Sequence, residues 1–97
     1  MYFFEWDENK NKTNFEKHGV TFEESQTVFY DENAWLEYDE GHSEREERFR
    51  LLGFSILGNI LIVVHCIRNE EIIRIISARK ATASETREYE RRLKDER

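Results

Sequence analysis

The polar and apolar positions change period several times along the chain, and each change marks an element. Ile60 to Ile67 is almost wholly apolar, interrupted only by His65 and Cys66. A run of that kind predicts a central strand covered on both faces. Ile72 to Ala78 reads as the next strand, carrying Arg74 inside it and leaving through Arg79 and Lys80. Glu47 to Phe54 alternates, with Phe49 and Leu51 on one face and Arg48 and Arg50 on the other. Ala34 to Tyr38 predicts a further strand, and Tyr2 to Trp6 a short aromatic one at the N-terminus.

Between these strands the period becomes helical. Asp7 can cap a helix from about Glu8 to Lys17, because its carboxylate can accept from the first free amides. Gly19 suits the left-handed position that ends it, with Lys17 and His18 near the negative end of the helix. Thr21 and Glu24 match a capping box for a second helix to about Phe29, with Phe22, Val28 and Phe29 facing inward. Thr82 and Glu85 match another box, opening a last helix with a narrow apolar stripe (Ala83, Tyr89, Leu93) that frays after about Leu93.

The order is strand, two helices, four strands, helix. Gly58-Asn59 supplies the turn of a hairpin. The last three strands are joined too tightly for parallel crossovers, so they form an antiparallel meander in an α+β arrangement. The 97 residues make a single domain, 1–97, with one small core. No apolar run is long enough to span a membrane, and the N-terminus lacks the basic and long apolar segments of a signal peptide. The single cysteine, Cys66, forms no internal disulfide. Together these features point to a cytoplasmic protein with no membrane association.

A formal charge of −6 argues against a general nucleic-acid surface. The charge is uneven, at −6 over residues 31–48 and +2 over residues 65–80. A confined anion site is therefore compatible with the basic segment, and a broad basic groove is not. On pattern alone, Arg74 and Arg79 are more simply read as ion pairs with the many carboxylates than as anion ligands. Strand parity sets Arg74 with Ile72 and Ile76, and Arg79 with Ile73 and Ile75. By the same parity His65 points with Leu61 and Val63, away from Arg68, which falls with Ile62 and Val64. His65 is either a satisfied core histidine or a general acid or base. The three histidines and Cys66 lack metal-ligand spacing, so no metal is expected. Asp39, His42, Ser43 and Glu46 contain the residue types of a hydrolytic triad, but they sit in a polar stretch without a nucleophile elbow and read as a solvated loop.

Three groups of residues, in order, resemble the BrnT-type toxins of bacterial type II toxin–antitoxin systems, within the wider RelE-like group. The first is Trp6-Asp7, Lys10, Asn14, Lys17-His18-Gly19-Val20 and Phe22-Glu23-Glu24. The second is Asp39, His42-Ser43, Glu46 and Arg48, leading to Gly53. The third is Val63-Val64-His65, Arg68 and Ile73 to Ala81, then Glu85, Tyr89 and Glu90. The resemblance covers essentially the whole chain.

It implies a RelE-like compact antiparallel sheet with two N-terminal helices and a C-terminal helix. It implies an endoribonuclease that cleaves RNA, free or on the ribosome, and arrests growth without metal or other cofactor. It also implies neutralisation by a BrnA-type ribbon-helix-helix antitoxin, with operator DNA bound only through the complex. The ribose 2′-hydroxyl attacks the adjacent phosphate in such cleavage, and the extra charge that develops suits the arginine fork. On the resemblance, Arg79 and Arg68 contact the phosphate, with Arg74 as a third. His65 transfers the proton, and Lys17, His18 and Lys80 bind the RNA backbone. Two features depart from the pattern: the chain is acidic, and Asn59 follows Gly58 where the family usually has arginine. They keep open an alternative, a non-catalytic binding partner acting mainly in an autorepressing toxin–antitoxin complex.

Overall fold

The computed structural model describes residues 2–43 and 46–95. Strand β1 (Phe3–Glu5) leads into helices α1 (Glu8–His18) and α2 (Phe22–Thr27), the latter tightening into a 3-10 turn at Val28–Tyr30. Strands β2 (Trp35–Tyr38), β3 (Phe49–Phe54), β4 (Ile60–Arg68) and β5 (Ile72–Lys80) follow, then helix α3 (Ala83–Asp95). A short 3-10 turn, Glu40–His42, lies between β2 and β3. The sheet order is β1-β5-β4-β3-β2, antiparallel except that β1 lies parallel to β5. The α+β expectation and the meander hold. The parallel docking of β1 joins the two ends of the chain and left no local signature.

The local signals act as their chemistry requires. Asp7 accepts from the amides of Asn9 and Lys10, and Gly19 ends α1 at φ 70°. The Thr82–Glu85 box closes in both directions. The Thr21 box closes in one direction only. The Thr21 hydroxyl accepts from the amide of Glu24, but the buried Glu24 carboxylate turns away to Ser55 and Asn59. There it satisfies the β3–β4 turn, where Gly58 takes φ 83°. Asn59 thus serves as a donor to a buried carboxylate.

The inner face of the sheet packs Leu51, Leu61, Val63, Ile73, Ile75 and Ala78 against Val20, Phe22 and Val28. The outer face buries Leu52 and Ile62 under Tyr89 of α3, flanked by Ile60, Ala81 and Leu93. Gly53 is required where β3 passes the chain at Val28 and Ala34, because an added Cβ would stand 2.9 Å from side-chain carbons of each. Helix α1 is held differently. Its one buried residue is Asn14, whose amide donates to the carbonyls of Val20 and Ala78 and accepts from the Ala78 amide.

Strand β5 contains a bulge that changes the reading of its charges. His65 pairs with Ile75 and Val64 with Ser77, so Ile76 has no partner in β4. Side-chain alternation reverses there. Arg79 consequently faces outward, on the same side as Arg74, and not with Ile73 and Ile75 as simple parity predicts.

Candidate functional site

Outside the core, a cleft of about 360 Å³ opens on the outer face of the sheet. Two cross-strand rows make its floor, Arg50, Val64 and Ser77 in one and Ile62 and Arg79 in the next, with Ala78 between Ser77 and Arg79 along β5. Two residues along and two strands across place the Cα atoms of Arg50 and Arg79 about 12 Å apart, within joint reach of their long side chains. His18 at the end of α1, and Asp39, His42 and Arg48 of the β2–β3 connection, complete the lining.

Arg79 is partly engaged. Its Nη1 and Nη2 donate to the two Glu85 oxygens at 2.7 and 2.9 Å, and Nη1 also reaches the Lys80 carbonyl. The remaining Nε–Nη2 edge of the fork is the part available to an anion. The Arg79 guanidinium, with help from the Thr82 amide, holds the Glu85 carboxyl down at about 2. The stabilisation from this pair is complete above the ordinary carboxylate range, declines as pH falls through that range, and is gone below about 2. Arg50 pairs with Glu37 through Nη2, while its buried Nε lacks a hydrogen-bond partner. Among the described residues, Arg48 has no carboxylate partner. The Asp39 carboxylate, itself buried, lies 3.2 Å from Nδ1 of His42. The Asp39 amide donates to the Arg48 carbonyl, and the Ser43 hydroxyl donates to the Asp39 carbonyl and accepts from the Arg48 amide. Ser43 therefore cinches the neck of the loop and is not disposed as a nucleophile.

The residues anticipated from sequence are dispersed. Arg79 and His18 line the cleft. Arg68 lies six residues from Ile62, the cross-strand partner of Arg79, or about 20 Å along the strand. It pairs there with Glu46 at 3.6 Å. Arg74 is also at that end, bound to Glu5 at 2.5 Å, so ion pairing describes it. Lys17 and Lys80 are exposed outside the cleft. Arg68 and Arg74 thus lie apart from the cleft that Arg79 lines.

His65 also lies apart from the cleft. It is 2 % exposed and faces inward between Phe29 and Phe49, with Nδ1–H donating to the Val63 carbonyl. This is the core-histidine alternative, on the opposite face from Arg79. Burial pushes its pKa down, outweighing the Val63 bond. Above pH 6.5 both folded and unfolded imidazoles are neutral. Below that value the unfolded chain binds a proton that the folded chain resists, so stability falls with pH by up to about 1.4 kcal/mol per unit. Urea titrations from pH 7 to 5 are expected to show this added slope in the wild type and its loss in His65→Gln; equal slopes would contradict it.

The sequence alone marks no role for Arg48 or Arg50, and Asp39 and His42 read there as a solvated loop. The alternation of Arg48 and Arg50 with Phe49 and Leu51 already set two cations on the non-core face of β3. What the alternation lacked was knowledge that Arg79 shares that face. Among the described residues, no three His, Cys, Asp or Glu side chains are grouped to hold a metal ion, and no helix is long and apolar enough to cross a membrane.

Residues 6–85 match the family model described as "Ribonuclease toxin, BrnT, of type II toxin-antitoxin system". The fold is similar to the crystal structure of the ribonuclease toxin BrnT from Brucella abortus, at 24% identity and a TM-score of 0.66. That likeness covers 84% of this chain and 99% of the other. No curated protein matches the sequence.

Proposed function

Because the chain belongs to the BrnT family of ribonuclease toxins of type II toxin–antitoxin systems, we propose that it is a metal-independent endoribonuclease whose cleft cuts RNA and arrests growth. It acts in the cytoplasm and is neutralised by a BrnA-type ribbon-helix-helix antitoxin, through which alone it reaches operator DNA. The observation that carries the catalytic reading is the convergence of Arg48, Arg50 and Arg79 on one cleft of an acidic protein. Guanidinium groups can take over the charge stabilisation that a metal supplies elsewhere, since planar forks match phosphate oxygens. A ribose 2′-hydroxyl held over this floor attacks its own 3′-phosphate and leaves a 2′,3′-cyclic phosphate and a 5′-hydroxyl. DNA lacks the attacking group.

Purified chain free of antitoxin is expected to cut single-stranded RNA in EDTA and to leave DNA of the same sequence intact. Absence of RNA cleavage both with and without ribosomes overturns the catalytic reading. The second reading, a non-catalytic partner in an autorepressing complex, is favoured by the carboxylates already on Arg79 and Arg50. RNA must compete with them or share the fork.

A further inference from the structure

Resting on the ribonuclease reading, we infer that His42 is the general base of the cleft and that Asp39 is its positioning residue. The carboxylate of Asp39 is buried and its Oδ1 lies 3.2 Å from His42 Nδ1, while the His42 side chain is 72% exposed. A carboxylate only accepts, so the contact places the proton on Nδ1 and leaves the Nε2 lone pair free. His42 is held in place: the 3-10 turn Glu40–His42 begins directly after Asp39, and the Ser43 hydroxyl that follows bonds the Asp39 carbonyl and the Arg48 amide. This pair lies on the wall of the same cleft as Arg79. Anion binding and proton abstraction therefore meet over one floor, which His65 cannot provide from the inner face.

The step balances without a further reactant. Nε2 of His42 takes the proton of the 2′-hydroxyl, and the 2′-oxygen bonds to phosphorus. The bond from phosphorus to the 5′-oxygen breaks, and that oxygen leaves with a proton drawn from solvent in the open cleft. His42 then returns its proton to water. The groups facing His42 across the cleft are His18 of α1, Arg48 and Arg50 of β3 and its approach, and Arg79 of β5.

Single-turnover cleavage of a labelled RNA cut by the wild type, followed from pH 5 to 9, tests the assignment. The wild-type rate is expected to fall on the acid side as the base protonates. His42→Gln should cut about 100-fold or more slowly and lose that acid limb. Asp39→Asn should cut about tenfold more slowly, because an amide can turn either end to Nδ1 and no longer fixes the tautomer, and Asp39→Glu should recover part of that rate. Loss of packing alone would not be mended by the longer carboxylate. Far-UV circular dichroism identical to wild type is expected for His42→Gln, since its side chain is exposed. His42→Gln or Asp39→Asn within about twofold of an active wild type overturns this inference and leaves the ribonuclease reading standing. A wild type that cuts no RNA overturns both.

Discussion

Arg79→Ala is expected to abolish growth arrest on induction and to slow RNA cleavage by about 1,000-fold or more. Removing one preorganised donor to a developing oxyanion typically costs on the order of 100- to 1,000-fold in rate, and a guanidinium can supply two donors together with a full charge. Arg79→Lys keeps the charge but loses the fork, and should recover only a small part of the rate. The variant should remain folded. Arg79 is half-exposed, and its strand is held by partners on both sides, β1 and β4. Its loss frees Glu85, which still closes the cap of α3 through Thr82. A correctly folded Arg79→Ala protein that arrests growth as the wild type does would remove Arg79 from the mechanism. The same measurement on Arg68→Ala separates the two arginines. Being about 20 Å along the strand and paired with Glu46, Arg68 should affect cleavage far less.

The largest effect on stability is expected at Asn14. Replacing it by alanine deletes three hydrogen bonds and leaves the Ala78 amide and two carbonyls unpaired at a buried site. At about 1 kcal/mol net per bond, with more where a buried group stays unsatisfied, the loss is about 3 to 4 kcal/mol. For a domain of this size that corresponds to a fall in melting temperature of about 15 to 20 °C. The dependence is severe because α1 buries no apolar side chain; its only aromatic residue, Phe15, is exposed. Lys12→Ala, on an exposed turn of the same helix, should change stability by less than about 0.5 kcal/mol. A melting temperature for Asn14→Ala within a few degrees of wild type would show that α1 is held by something else. Activity should fall beyond the loss of folded protein, because Ala78 directly precedes Arg79.

How much of this was legible in the sequence depended on how local the cause was. The caps at Asp7, Thr21 and Thr82 and the glycine at position 19 could be read directly, since each involves groups a few residues apart. The inward orientation of His65 was legible too, because β4 keeps its alternation throughout. Arg79 was misplaced because the alternation of β5 reverses at Ile76, and an unpaired residue is defined by its neighbour strand, not by its own sequence. The cleft was illegible for a related reason. Arg48, Arg50, Arg79, His18 and His42 come from four parts of the chain and meet only once the meander is folded. Asp39 and His42 looked like loop residues because they are loop residues; burial of the Asp39 carboxylate is what distinguishes them.

The bulge at Ile76 has a consequence for any attempt to transplant the motif. Residues 74–80 copied onto a regular strand of another scaffold would carry every side chain of the original, yet Arg74 and Arg79 would look in opposite directions. One would point into the host's interior, where an unpaired guanidinium cannot be accommodated. The portable unit is thus not a string of seven residues but a pair of strands with one residue too many in one of them. A homologue lacking that extra residue would need its counterpart of Arg79 one position earlier or later to present a cation to the same side.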